Sequence, residues 1–219
     1  MPKRRIGIMG GSFNPPHLGH LALAQEARRR MNLHQVWWLV SPQNPLKSKS
    51  DMLPFQQRLA LCKLMAEGHP WLIASDLEAR QGTRYSFDTM ARLKARFPHL
   101  DMFWLMGADN LATAHRWRRW HDFFNTVPMV IFMRPDVPSQ GLKSPAAVTF
   151  AALRQSANSQ APHGWRLMTQ KKLPISATQI RKALARGQRP AGVADARVLR
   201  ALQLKNPKHQ PKISGGRIA

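Results

Sequence analysis

The segment Gly10-Gly11-Ser12-Phe13-Asn14-Pro15-Pro16-His17-Leu18-Gly19-His20 gathers residue types that handle anions. Glycines at a strand end let a ligand approach the backbone closely, and a helix start offers unpaired N–H groups and a partial positive charge to a phosphate. His17 and His20, three residues apart at such a start, can turn their rings to one side and donate to the same phosphate chain, and Gly19 between them leaves room for a nucleotide. The plain alternative is a capped helix with two surface histidines. The segment is not a P-loop, which needs Gly-Lys before Ser or Thr, nor the Gly-x-Gly-x-x-Gly of dinucleotide-binding folds, so a histidine-based phosphate site remains. Further along, Ser176 is a good N-cap with Arg181 on the following turns. Asp109, in Gly107-Ala108-Asp109-Asn110, reads by itself as a helix cap.

These residues need elements to hold them. Arg5 to Met9 reads as a short buried strand leading through the glycine and proline turn into a helix from about Leu18 to Met31. Val36 to Val40 is a second strand, and the proline-bearing stretch from Ser41 to Leu53 is a long functional loop. A helix over Pro54 to Ala66, a strand over Trp71 to Ser75, a helix over Ser86 to Phe97 and strands over Met102 to Met106 and Val127 to Met133 continue the alternation. Alternating strands and helices imply a Rossmann-like, doubly wound α/β fold: a mostly parallel sheet with helices on both faces and ligands beyond the carboxyl ends of the strands. Asp136 to Pro162, rich in Ser, Gln, Pro and Ala, reads as a variable surface region around one helix. Ser176 to Arg186 and Val193 to Leu204 form a C-terminal helical region. The expected organisation is a single domain over 1–204 and a disordered basic tail over 205–219.

Composition narrows the function. With 219 residues and 43% apolar content the chain can bury a substantial core. Its longest apolar runs fall short of the ~20 residues that cross a bilayer. The N-terminus lacks the apolar region of a signal peptide, so a cytoplasmic protein without a membrane partner is expected. The one cysteine, Cys62, lies among Leu59, Ala60, Leu61, Leu64 and Met65 and reads as core, and no thiolate zinc cluster can form. A net charge of +23, from 34 Lys and Arg against 11 Asp and Glu, points to anionic partners. The positive residues are spread along the whole chain, which favours a basic surface attracting nucleotides over specific nucleic-acid recognition.

On these residues the chain resembles the nucleotidyltransferase superfamily marked by His-x-Gly-His, and more closely its bacterial nicotinate-nucleotide adenylyltransferase branch. Ile175-Ser176-Ala177-Thr178-Gln179-Ile180-Arg181 is similar to the superfamily's Ile-Ser-x-Thr-x-Ile-Arg segment, and the glycine of Gly107-Ala108-Asp109 ends a strand as in its Gly-x-Asp. The resemblance implies ATP-binding roles for Gly10, Gly11, Ser12, Phe13, His17, Gly19, His20, Ser176, Thr178 and Arg181, with His17, His20 and Arg181 catalytic. For the acceptor it implies Asn14, Lys47, Tyr85, Ser86, Asp109 and Trp117. Tyr85 and Ser86 match a loop whose backbone amides recognise the nicotinate carboxylate, with Ser86 in place of the usual threonine. Trp117 matches the aromatic residue that stacks on the pyridine ring, although it could instead be core. Asn14 replaces a frequent Asp, and Leu46 precedes Lys47 where the branch carries histidine.

The implied reaction is in-line attack of the nicotinate mononucleotide phosphate on the α-phosphorus of ATP, in the biosynthesis of NAD. The attacking phosphate, with a second pKa near ~6, needs no general base. Mg²⁺ is expected to arrive with ATP rather than in a protein cage. The alternatives are the same transfer onto nicotinamide mononucleotide or phosphopantetheine and, from another class, a non-catalytic nucleic-acid-binding protein.

Overall fold

The computed structural model describes residues 3–43, 52–133, 139–157, 159, 164–169, 176–190 and 196–203. The elements run β1 (Arg4–Gly11), α1 (Leu18–Met31), β2 (Gln35–Val40), α2 (Phe55–Ala66), β3 (Leu72–Ser75), α3 (Leu77–Gln81), α4 (Ser86–Arg96), β4 (Leu100–Gly107), α5 (Ala108–Thr113), α6 (Trp120–Thr126), β5 (Met129–Met133), α7 (Pro145–Thr149), β6 (Arg154–Gln155), β7 (Trp165–Thr169), α8 (Ala177–Ala185) and α9 (Ala196–Gln203). Among the described residues seven strands form one sheet in the order β3-β2-β1-β4-β5-β7-β6. Every strand pairing in it is parallel.

Strand side chains alternate between two apolar layers, as the two-residue period of a strand requires. Val36, Trp38 and Val40 of β2, Phe103 and Leu105 of β4, and Val130 and Phe132 of β5 share one layer with Leu23, Ala24, Ala27 and Met31 of α1, Cys62 and Met65 of α2, and Val198 and Leu202 of α9. Ile6 and Ile8 of β1, Met102, Trp104 and Met106 of β4, and Met129 and Ile131 of β5 face the other way, onto Met90 and Leu93 of α4, Leu111 of α5 and Phe123 and Phe124 of α6. A strand covered on both faces must be apolar on both, which is why the strands read as continuous apolar runs. Cys62 lies in the first layer, and burial pushes its thiol above the ordinary pKa, leaving it unreactive.

The chain starts in the middle of the sheet, builds outward through β2 and β3, then returns to the other side of β1 with β4. This reversal leaves a crevice at the carboxyl ends of β1 and β4, where doubly wound folds bind ligands. Gly11 ends β1 there and Gly107 ends β4.

Two expectations change. β7 was not anticipated, because Arg166 interrupts its apolar pattern; that side chain is fully buried, with its guanidinium over the Phe103 ring at 5.7 Å. Among its described residues the region from Asp136 to Pro162 holds one α-helix, α7, but it is not only surface: Ala146, Ala147 and Phe150 enter the core, and Phe150 stacks on Phe124. Lys47, Ile175 and the tail over 205–219 lie outside the described residues. No helix among the described residues is long and apolar enough to cross a membrane.

Candidate active site

The Gly10–His20 segment bridges β1 and α1 at the mouth of the crevice. Gly10 lies within β1, where a Cβ would come 2.5 Å from the Trp104 indole, so the missing side chain serves sheet packing. Phe13 takes a left-handed φ of 46°, unusual for a residue with a Cβ, and buries its ring against Trp38 at 5.1 Å. His20 tilts against the same ring at 4.9 Å and meets Trp38 edge-on at 6.2 Å, so the three rings form one cluster. Ser12 is buried, and its hydroxyl has no hydrogen-bond partner among the described residues.

His17 is the N-cap of α1 and forms a capping box with His20. Nδ1 of His17 accepts from the Gly19 N–H at 3.1 Å, and Nδ1 of His20 accepts from the His17 N–H at 3.2 Å. The rings stack with centroids 3.8 Å apart. Because each Nδ1 accepts a backbone hydrogen, each neutral ring carries its proton on Nε2 and has that nitrogen as donor. Two stacked imidazoles, their planes 28° apart, thereby carry their N–H groups at a helix N-terminus, beside the partial positive charge of the helix.

The C-terminal motif comes to this turn. Ser176 caps α8, its hydroxyl accepting from the Gln179 N–H at 3.2 Å. Arg181, one turn further, donates from Nη1 to the Asn14 carbonyl at 2.8 Å, across 167 residues of sequence, while its Nη2 lies 3.4 Å from the Thr178 hydroxyl. The Asn14 side chain accepts from the Leu53 N–H at 3.0 Å and so ties the turn to the residues just before α2.

Of the residues matched to acceptor binding, Tyr85, Ser86 and Trp117 lie on two segments that meet through Arg118. Tyr85 is the N-cap of α4 and Ser86 its first residue. Trp117 is half-buried, packing edge-on to Trp104 at 6.3 Å and tilted against Phe123 at 5.9 Å. Arg118 joins the two segments, its guanidinium 4.9 Å from the Tyr85 ring centre and 3.4 Å from the Asp88 carboxylate. Asp109 is exposed in the first turn of α5, with Gly107 rather than Asp109 at the cap position.

Two buried residues escaped the sequence reading. Arg58 of α2 is 1% exposed and donates to four backbone carbonyls: Ser12 at 2.6 Å, Ser41 at 2.7 Å, Pro42 at 2.8 Å and Leu53 at 2.9 Å. Burial lowers its pKa, yet guanidinium remains charged at any working pH. Glu78 of α3 is also buried, 3.2 Å from the Thr89 hydroxyl, which lies 2.9 Å from that of Thr83. Burial pushes the Glu78 carboxyl up to about 7, against the opposing pull of hydrogen bonds from Thr89 and Ser41. A charge set among apolar residues of a helix was the available signal for Arg58. For Glu78 it was one of only 11 acids lying beside the Tyr85 loop.

The described residues hold no group of three or more His, Cys, Asp or Glu that could bind a metal ion. The donors gathered at the β1–α1 turn are N–H groups, which suit phosphate oxygens.

Comparison with known proteins places this chain in a family. The cytidylyltransferase-like family model matches residues 8–183. A protein of Parvibaculum lavamentivorans named a probable nicotinate-nucleotide adenylyltransferase is 49% identical over 146 residues, 67% of this chain and 72% of its own. One of the same name from Cereibacter sphaeroides is 43% identical over 179 residues, 80% of this chain and 96% of its own. Among solved structures, the Plasmodium falciparum nicotinic acid mononucleotide adenylyltransferase complexed with NaAD superposes with a TM-score of 0.66 over 85% of this chain and 86% of that one, at 18% identity, a likeness of fold. The chain belongs to the cytidylyltransferase-like family and, within it, to the family of nicotinate-nucleotide adenylyltransferases.

Proposed function

We propose that this protein transfers the adenylyl group of ATP to nicotinate mononucleotide, forming nicotinate adenine dinucleotide and pyrophosphate in NAD biosynthesis. The observation that carries the reading is the meeting of the stacked His17–His20 pair with Arg181 at the β1–α1 turn, beside the sheet's switch point.

A phosphate oxygen of nicotinate mononucleotide attacks the α-phosphorus of ATP, and the bond to the bridging oxygen of pyrophosphate breaks on the opposite side. The nucleophile is already largely dianionic at neutral pH, so the protein's work is alignment and charge stabilisation. His17 and His20 donate from Nε2 to oxygens of the α-phosphate and of the leaving pyrophosphate, and Arg181 and the α1 N-terminus offset the growing charge. The unpartnered Ser12 hydroxyl gains a phosphate oxygen as acceptor. Gly10, Gly11 and Gly19 keep side chains out of the nucleotide's path, Phe13 braces His20, and Ser176 and Thr178 hold the α8 start and Arg181. Mg²⁺ enters as part of the ATP substrate, bound by triphosphate oxygens.

On the acceptor side, backbone amides at Tyr85 and Ser86 take the nicotinate carboxylate and Trp117 stacks on the pyridine ring. Lys47, Asn14 and Asp109 complete the acceptor's surroundings. The test is pyrophosphate release from MgATP with nicotinate mononucleotide or its amide in parallel, with the dinucleotide identified by mass. Turnover with the acid well above that with the amide is the expected result. Turnover with the amide alone reassigns the acceptor, and none with either overturns the reading.

A further inference from the structure

We infer that Glu78 is a positioning residue for the acceptor: through the Thr89 hydroxyl it controls the peptide group between Tyr85 and Ser86. The inference rests on the function proposed above, which gives the N–H of that peptide to the nicotinate carboxylate. The Thr89 hydroxyl has three neighbours: Glu78 Oε1 at 3.2 Å, the Thr83 hydroxyl at 2.9 Å and the Tyr85 carbonyl at 3.2 Å. The Thr89 N–H also donates to the Tyr85 carbonyl, at 3.1 Å. That carbonyl belongs to the same peptide unit as the Ser86 N–H. Ser86 opens α4, where a backbone N–H has no partner within the helix, and no side chain caps this start.

A hydroxyl has one proton to give and two lone pairs to receive, so the protonation of Glu78 decides where the Thr89 proton points. An ionised Glu78 can only accept, and it takes that proton. A protonated Glu78 donates to Thr89, which then accepts from Glu78 and Thr83 and gives its own proton to the Tyr85 carbonyl. Only in this form are all three contacts hydrogen bonds. Hydrogen bonds in series polarise one another, so a second donor on the Tyr85 carbonyl makes the Ser86 N–H of the same peptide a stronger donor. Ionised Glu78 withdraws that donor and leaves a negative charge behind a peptide that must take an anion. Among the described residues no cation forms an ion pair with Glu78. On the neighbouring elements, Asp76 and Arg80 of α3 pair with each other, Asp88 of α4 pairs with Arg118, and Arg92 of α4 donates to the Gln81 carbonyl. Of the turn between α3 and α4, Arg84 is exposed and the Tyr85 ring lies under Arg118. β2, against which α3 packs, carries no ionisable side chain. Burial without a cationic partner pushes the carboxyl up to about 7, so both forms occur in an ordinary assay range.

The experiment measures KM for nicotinate mononucleotide and for ATP at pH 6 and pH 8 in wild type, Glu78→Gln and Thr89→Val. Assays run at a temperature where thermal melts show each variant folded. Glu78→Gln stands for the protonated form, its amide donating to Thr89 at either pH. Dividing the wild-type KM by that of Glu78→Gln cancels the ionisation of the acceptor's own phosphate. The expected acceptor ratio is near one at pH 6 and about three- to tenfold at pH 8, the weight of one hydrogen bond, while the ATP ratio stays constant. Thr89→Val keeps the backbone N–H bond to Tyr85 but has no hydroxyl to turn, so its acceptor KM, divided in the same way, is raised alike at both pH values. An acceptor ratio that does not change with pH, an equal change in the ATP ratio, or a Thr89→Val variant that keeps the wild-type response overturns the inference. Variants that differ from wild type only in melting temperature overturn it too, because Glu78 would then serve stability alone. Wild-type protein without turnover on nicotinate mononucleotide overturns the functional reading and this inference with it.

Discussion

In His17 and His20 each imidazole serves the backbone with Nδ1, and the proposed function gives Nε2 the task of donating to phosphate. Nδ1 closes the start of α1 while fixing the proton on Nε2. Replacing His20 by alanine removes both services, and turnover should fall by ~10²–10³, the usual loss for one donor to transition-state charge. His20→Asn separates the services, because an amide oxygen can still accept the His17 N–H but cannot reach where Nε2 stood. Its turnover should fall as far as that of the alanine variant, while a thermal melt shows less destabilisation. Equal melting temperatures for the two variants would refute the capping role. Glu78 carries a different signature. Its folded pKa of about 7 exceeds the ordinary 4.5, so between these values the folded state holds a proton that the unfolded state has lost. Stability is therefore fullest below the unfolded value and falls as pH rises through the folded one, by up to ~3 kcal/mol. Glu78→Gln should flatten that fall, which denaturant titrations at pH 5 and pH 8 measure as a gain relative to wild type at the higher pH.

At the scale of elements, α8 acts as an arm that carries Arg181 to Asn14. Its start depends on Ser176, so Ser176→Ala should cost ~1 kcal/mol in a denaturant titration. The KM for ATP should also rise more than that for the acceptor, since Arg181 joins the β1–α1 turn, to which the proposed function gives the ATP phosphates, and not the Tyr85 segment. Helices and strands were largely legible from apolar spacing. α1 ends at Met31 as its pattern predicts, followed by Asn32 in a left-handed cap, a conformation asparagine tolerates. β7 was illegible because a buried arginine looks polar to any periodicity argument. The site divides in the same way. The histidine pair, the Ser176 cap and the strand-ending glycine at 107 are local features and could be read in advance, whereas the guanidinium bridging Tyr85 and Asp88 needs packing of α4 against the segment before α6.

Across the whole molecule, the sequence carries a net charge of +23, and the substrates of the proposed function are anions. A field of one sign speeds the approach of anionic substrates and is screened by salt, the screening length shrinking from about 10 Å at 0.1 M to about 3 Å at 1 M. Raising ionic strength across that range should lower kcat/KM for ATP several-fold, with kcat changing less because the charges at the bound phosphate are close and partly shielded from solvent. A kcat/KM indifferent to salt would show that the surface charge plays no part in substrate capture.

The amino-acid sequence by itself determined the parallel α/β architecture, the glycine- and proline-bearing turn that opens α1 and the Ser176 cap of α8. Each depends on the order of neighbouring residues, on periods of two or 3.6 and on which side chains can reach nearby backbone groups. Only the tertiary structure decided that Arg181 would meet Asn14, that Arg58 would join three separate stretches of backbone and that Glu78 would be shut away beside the Tyr85 loop. A buried polar group must find its partners wherever packing leaves carbonyls or hydroxyls unsatisfied, and those partners come from segments whose adjacency no local pattern encodes.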